Sequence, residues 1–164
     1  MSIEPDDQLT CIELFAGAGG LAIGVAQAGF KHLAIVEWDP AACRTLRANA
    51  SRHSYTKHWP VSEIDVRDFD FRPFARKVTL LAAGAPCQPF SLGGKHRGDE
   101  DPRNMFPEVV RAVRELQPAA FLLENVRGLT RDSFKPYFDY IKAQLRTPDA
   151  IKRPTETWRD HFAR

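Results

Sequence analysis

Two stretches of this 164-residue chain carry residue types able to form and break bonds. Ala85-Pro86-Cys87-Gln88-Pro89-Phe90-Ser91 brackets one cysteine with two prolines. Each pyrrolidine ring fixes φ, so the pattern predicts a rigid turn that holds a thiol in one direction. An ordinary thiol titrates near ~8.5, so a nucleophilic role for Cys87 requires local activation. Glu124-Asn125-Val126 ends a short apolar run further along. Apolar walls would keep a carboxyl group protonated there, ready to donate to a substrate nitrogen while a thiolate attacks a neighbouring carbon. The plainer alternatives are a strand-end cap for Glu124 and a small buried hydrophobe for any cysteine. Cys11 and Cys43, inside a strand-like and a helix-like stretch, fit the latter.

A third stretch suits ligand binding. Phe15-Ala16-Gly17-Ala18-Gly19-Gly20 joins an apolar strand to a helix, a context in which glycines let a ligand approach backbone N–H groups. Twenty residues after Gly17, Glu37 closes the next strand, where a carboxylate can accept hydrogen bonds from both hydroxyls of a ribose. Trp38 then offers an apolar wall for an adenine ring, or plain edge packing on the sheet. Asp65 and Asp68 follow a weaker strand, and either can meet an adenine amino group or serve as a surface turn residue. The combination points to an adenosine-containing ligand. The alternative is a turn whose glycines only permit close helix–strand packing. The pattern lacks the lysine of a triphosphate-binding loop.

Positioning these residues requires a sheet. Apolar runs over 10–15, 32–37, 78–83 and 119–124 predict four strands, with a weaker fifth near 61–66. Helical spacing over 20–28, 40–50 and 105–116 predicts crossover helices, the second opened by Asp39 as N-cap and Pro40 at its first position. Alternating strands and helices specify an α/β domain with a mainly parallel sheet covered on both faces. Such sheets bind ligands at the carboxyl ends of their strands, where the unusual residues above all fall. Beyond Arg127 one more helix is expected through Tyr137, Tyr140, Ile141 and Leu145, followed by a polar tail over 148–164 broken by Pro148 and Pro154.

The size suits one globular domain. No apolar stretch approaches the ~20 residues of a membrane span, and the acidic start MSIEPDDQL is unlike a signal peptide, so a cytoplasmic protein without membrane contact is expected. Lys plus Arg number 23 against 21 Asp plus Glu, so no global basic field announces nucleic acid. The excess lies in residues 127–164, with 9 basic and 5 acidic side chains. Three widely spaced cysteines argue against a disulfide scaffold, and the histidines show no metal-ligand spacing, so no metal is expected.

The series ELFAGAGG, VEWD, GAPCQPFS, DPRN and LLENVRGL, in this order and spacing, resembles the catalytic half of the cytosine-5 DNA methyltransferases. The likeness covers about residues 10–130, and PCQPFS followed by ENV is its most specific part. It implies a Rossmann-like fold that uses S-adenosyl-L-methionine. Phe15, Gly17 and Gly19 would hold the methionine and adenosine parts, Glu37 the ribose, Trp38 the adenine face and Asp65 the adenine amino group. Cys87 would attack C6 of cytosine and Glu124 would hold N3, with Pro86, on the cofactor side, and Asn125 shaping the pocket. Residues 91–101 resemble the family's mobile loop over DNA, placing Ser91, Arg97 and, from DPRN, Arg103 in the substrate pocket or loop. The family extrudes its target base from double-stranded DNA.

Two departures stand out. Ile64 precedes Asp65 where the family has glycine, which leaves Asp68 as a competitor. The Q-x-R-x-R motif, the target-recognition region and the C-terminal segment completing the cofactor pocket have no counterpart before Arg164. The expected organisation is a tail over 1–9, a cofactor-binding and catalytic domain over 10–130, and a helix with polar tail over 131–164. A complementary C-terminal subunit or segment would carry target recognition, as in a bacterial restriction-modification enzyme acting at the nucleoid. Methylation of RNA cytosine, a non-catalytic module binding cofactor or partner protein, and a nicotinamide-dependent oxidoreductase are the alternatives; the last leaves Cys87 with Glu124 unexplained.

Overall fold

A computed structural model describes residues 8–86 and 104–164. They form two compact units. The first comprises residues up to Gly84 together with Glu115–Glu124, and the second comprises Ala85–Arg114 and Asn125–Arg164.

The first unit is built on a parallel sheet in the order β3-β2-β1-β4-β5. Its strands are β1 (Thr10–Leu14), β2 (Lys31–Glu37), β3 (Val61–Glu63), β4 (Leu80–Ala83) and β5 (Ala120–Leu123). Helix α1 (Gly20–Gln27) joins β1 to β2, and α2 (Pro40–Asn49) joins β2 to β3. Strand order reverses between β1 and β4, the switch point where such sheets open a crevice for ligands. The expected strands and helices are all present within two residues at their boundaries, except that the weak strand shortens to three residues.

Register aligns the strand ends. Leu14 stands opposite Val36 on one side and Ala83 on the other, and Ala83 stands opposite Leu123. The carboxyl ends of four strands therefore lie level. On one face Cys11, Val25 and Ala82 pack together, as do Ala22, Ala26, Ile35, Leu46 and Trp59 from α1, β2, α2 and the segment before β3. The residues of the opposite face, Ile12, Leu14, Leu81 and Ala83, have no solvent exposure either. Burial on both faces explains why the strands read as largely apolar runs instead of alternating ones, with Glu13 and His32 as the buried polar exceptions. Strand β5 is the exception. Phe121 and Leu122 point to opposite faces, and both remain 44–46% exposed.

Helix α2 starts where predicted, with Asp39 Oδ1 accepting from the Ala42 N–H at 2.8 Å and Pro40 in the first turn. Helix α1 has no side-chain cap; its N-cap is Gly19 in a left-handed conformation.

The second unit contains most of α3 (Phe106–Leu116), then α4 (Lys135–Arg146) and α5 (Trp158–Ala163). The expectation of a helix-free polar tail is corrected by α5. Thr157 and Asp160 form a capping box, with the Asp160 N–H donating to Thr157 Oγ1 at 3.2 Å and the Thr157 N–H donating to Asp160 Oδ2 at 3.0 Å. Tertiary packing completes the helix. Trp158 lies edge-on to Tyr137 at 5.3 Å, and His161 Nδ1 lies 2.9 Å from the Tyr140 hydroxyl. Among the described residues no helix is long and apolar enough to cross a membrane, and no group of three or more His, Cys, Asp or Glu side chains is placed to hold a metal ion.

Candidate cofactor site at the strand ends

The turn after β1 stores strain in a residue that composition does not betray. Phe15 has φ of +58°, a left-handed conformation costing an aromatic residue about 1–3 kcal/mol. Gly17 and Gly19 follow at φ +54° and +92°. The two glycines differ in their surroundings. A Cβ on Gly17 would meet nothing within 4 Å, so this backbone faces open space. One on Gly19 would lie 2.6 Å from Leu46 Cδ2 and 3.5 Å from Trp59, so Gly19 permits close helix packing. Tight packing, one of the alternatives posed above, accounts for Gly19, whereas at Gly17 the backbone is left open.

Glu37 is the polar hub of the site. It is 7% exposed, and its carboxylate accepts three backbone hydrogen bonds. Gly17 N–H donates to Oε2 at 2.7 Å, while the Trp38 and Asp39 N–H groups donate to Oε1 at 2.9 and 2.8 Å. A carboxylate offers about four acceptor positions, so these bonds leave one on Oε2. Two ribose hydroxyls would therefore have to share Glu37 with its own backbone, a tighter arrangement than the sequence expectation. Trp38 beside it is 70% exposed and unused by the core, which favours a ligand-facing ring over edge packing.

Asp65 lies next along this edge. The Ile64 N–H donates to the Glu37 carbonyl at 3.0 Å, extending the β2–β3 pairing to the residue before Asp65. Arg67 beside the Asp65 carboxylate holds its pKa below the usual aspartate value. Asp68, the competitor, is exposed on the 3₁₀ turn Val66–Asp68.

At the other side of the switch point, the Gly84 N–H donates to the Leu14 carbonyl at 3.2 Å and the Glu124 N–H to the Ala83 carbonyl at 2.9 Å. A Cβ on Gly84 would sit 3.6 Å from the Phe15 carbonyl oxygen and 3.7 Å from Glu124 Oε2. The Glu124 carboxylate thus stands near the strained Phe15, over a glycine that sequence reasoning did not single out. Glu124 is exposed, so the apolar walls expected around it are not supplied by the described residues. The reason is topological: β5 is the edge strand. In the second unit, Asn125 Nδ2 donates to the Ala85 carbonyl at 3.0 Å and Asn125 Oδ1 accepts from the Val126 N–H at 2.8 Å. Asn125 thereby fixes the backbone just before Pro86.

Cys87, Ser91, Arg97 and Arg103 lie outside the described residues. Cys11 and Cys43 are fully buried, as expected of structural thiols. Burial pushes the Cys11 thiol up to about 12 and raises that of Cys43 as well. Neither is suited to nucleophilic work.

The C-5 cytosine-specific DNA methylase family model matches residues 9–149. A type II methyltransferase of Neisseria gonorrhoeae, M.NgoMIV, is 45% identical over 138 residues, which are 84% of this chain and 42% of the relative. M.PspPI of Psychrobacter is 47% identical over 133 residues, 80% of this chain and 30% of the relative. This chain therefore spans less than half the length of either. Among solved structures, a DNA modification methyltransferase encoded in an E. coli prophage superposes with a TM-score of 0.63 at 29% identity, over 85% of this chain and 37% of that one. A glycopeptide N-methyltransferase solved with S-adenosyl-L-methionine shares the fold alone, at 18% identity and a TM-score of 0.50 over 73% of this chain and 48% of that one. Match and strand-end chemistry agree: the chain belongs to the C-5 cytosine-specific DNA methylase family.

Proposed function

We propose that this chain is the cofactor-binding and catalytic portion of an enzyme that methylates C5 of cytosine in double-stranded DNA. The observation that carries the proposal is Glu37, a buried carboxylate held by three amides beside an exposed tryptophan and the open backbone of Gly17. That set fits an adenosine moiety: an acceptor for a ribose hydroxyl, an aromatic face for a base and backbone N–H groups at a helix start. Phe15, Gly17, Glu37, Trp38 and Asp65 hold S-adenosyl-L-methionine, with Gly19 seating the helix start behind them and Pro86 closing the cofactor side. The bound cofactor supplies a methyl group on a sulfonium centre.

The chain supplies the rest. Cys87, three residues beyond Gly84, adds as a thiolate to C6 of an extruded cytosine while Glu124 donates a proton to N3. The electron pair displaced from the C5–C6 double bond makes C5 nucleophilic, and C5 takes the methyl group, leaving S-adenosyl-L-homocysteine as the thioether product. Loss of the C5 proton to a base then expels the thiolate, and N3 returns its proton to Glu124. Asn125 sets the backbone leading to Cys87. Ser91, Arg97 and Arg103 meet the substrate or its phosphates, which position DNA without reading its sequence.

Target recognition comes from a complementary C-terminal segment or subunit, and the exposed β5 edge supports this reading. A parallel sheet is ordinarily covered on both faces, and here both are open at β5. Action on DNA in a bacterial cell places the protein in the cytoplasm, at the nucleoid. The test is duplex DNA containing 5-fluorocytosine, incubated with this chain, S-adenosyl-L-methionine and a C-terminal subunit of the family. A trapped adduct mapping to Cys87 is expected, because fluorine does not leave as a proton does. An adduct on Cys11 or Cys43, or undiminished methylation by Cys87→Ser, overturns the assignment.

A further inference from the structure

We infer that Arg67 is a positioning residue that aims the Asp65 carboxylate at an exocyclic amino group of the bound purine and so sets base selectivity at the site. The inference rests on the proposed adenosine site and adds a residue to it. Arg67 grips Asp65 with a full fork: Nε donates to Oδ1 at 3.0 Å and Nη2 to Oδ2 at 2.5 Å. The Arg67 N–H also donates to Oδ1, at 2.9 Å, so Asp65 caps the 3₁₀ turn Val66–Asp68 as well. Three of about four acceptor positions are then taken, and the remaining one is on Oδ2. A planar guanidinium engaging both carboxylate oxygens fixes rotation as well as charge, which a lysine cannot do. The Asp65 side chain is 23% exposed, and the Ile64–Glu37 backbone bond ties it to the strand end that carries Glu37 and Trp38.

The chain contains its own control. Five residues on, Arg72 repeats the pattern on Asp70: its N–H and Nε donate to Oδ1 at 3.0 and 2.8 Å, and Nη2 donates to Oδ2 at 2.9 Å. That pair is far more exposed, at 83% for Arg72 and 48% for Asp70, and it follows the 3₁₀ turn Val66–Asp68 instead of the last residue of the β2–β3 pairing. If the arginine–aspartate fork served only to brace the backbone of a turn, losing either arginine would have the same consequence.

The experiment is titration calorimetry on the full chain with two ligands, S-adenosylhomocysteine and its 6-oxo analogue S-inosylhomocysteine, which lacks the amino donor. Wild type should prefer the amino ligand by about tenfold or more, the scale of one hydrogen bond to a charged group. Arg67→Ala and Arg67→Lys should both collapse this preference to within about twofold while binding the 6-oxo ligand as wild type does. Arg72→Ala should retain the full preference. Wild-type preference undiminished in Arg67→Ala overturns the role of Arg67 and leaves the adenosine site intact. Equal loss in Arg67→Ala and Arg72→Ala overturns it too, in favour of a purely structural role. Failure of wild type to bind either ligand overturns the adenosine site and this inference with it.

Discussion

Removing the Glu37 carboxylate should weaken the fold and the cofactor site together, by separable amounts. Glu37→Ala strands three N–H donors, those of Gly17, Trp38 and Asp39. Trp38 and Asp39 are exposed, so water can take over their amides at a cost nearer ~0.5 kcal/mol each. The Gly17 bond, at 2.7 Å to a buried charged acceptor, lies at the stronger end, about 1.5–3 kcal/mol. The sum is about 2.5–4 kcal/mol. With a urea m-value of about 2 kcal/mol/M, the unfolding midpoint should fall by roughly 1–2 M. Glu37→Gln sharpens the test. Its carbonyl oxygen can keep the Trp38 and Asp39 amides, but its NH₂ then faces the Gly17 N–H, donor against donor. It should lose about 1.5–3 kcal/mol, nearly all from the turn. Binding of S-adenosylhomocysteine, followed by calorimetry under conditions where each variant is folded, should weaken by a further ~10-fold or more in both. An unchanged urea midpoint for Glu37→Ala would show that the three bonds carry no net energy. Unchanged affinity would remove Glu37 from the ligand site whatever its effect on stability.

Gly19→Ala should cost more stability than Gly17→Ala, about 2–3 against about 1 kcal/mol, because both pay for positive φ but only Gly19 sets its new methyl against Leu46 and Trp59. Thermal unfolding of the two variants decides this, and equal shifts would refute the division of roles between the glycines. Glu13→Gln should make the protein more stable at pH 8. Glu13 has no solvent exposure, and burial, only partly opposed by His32 at 3.4 Å, raises its pKa above the ordinary carboxyl value of ~4.3. The native state therefore favours the protonated acid. The stability this contributes is present below the unfolded pKa and is lost as pH rises through the folded one. The melting temperature of Glu13→Gln minus that of wild type should accordingly climb from pH 4 upward, and a flat difference would refute a raised Glu13. Taking the difference is necessary because Asp65, Asp139, Glu156 and Asp160 have lowered pKa values and give wild type the opposite slope at acid pH.

The sheet was legible in the sequence because its strands are largely apolar runs, interrupted in β1 only by the buried Glu13, and because residues of unusual type lie at or just beyond their carboxyl ends. Helix α2 was legible to its first residue because Asp39 and Pro40 are local signals that act through local bonds. Helix α5 was not, although Thr157-x-x-Asp160 was there to be read. Six residues with such a cap are marginal alone, and the Tyr137–Tyr140–Trp158–His161 cluster that stabilises them joins residues about twenty apart. At the site, residue types could nominate Glu37 but not show that its acceptors are mostly spent on backbone amides. Nor could they show that Phe15, an ordinary strand residue by propensity, sits in a left-handed conformation. The role of Gly84 depends on register: only the pairing of β1 with β4 and of β4 with β5 brings Phe15 and Glu124 around it.

The uncovered β5 edge has an energetic consequence for the proposed complement. Phe121 and Leu122 are each already about half buried, and complete burial of such side chains is worth about 1.5–3 kcal/mol. Finishing the job on both therefore contributes about 1.5–3 kcal/mol. Association of two polypeptides costs at least that much in lost translational and rotational freedom. Side-chain cover alone would not hold a separate subunit in place. A strand added along β5 would bring ladder hydrogen bonds, and helices on both faces would raise the buried area toward the ~1,600 Å² of a standard interface. The same arithmetic is easier when the covering segment belongs to one continuous chain, because the association cost is replaced by a loop closure that grows only slowly with length. An isolated covering strand should therefore fail to complement residues 1–164, whereas a whole C-terminal module should succeed.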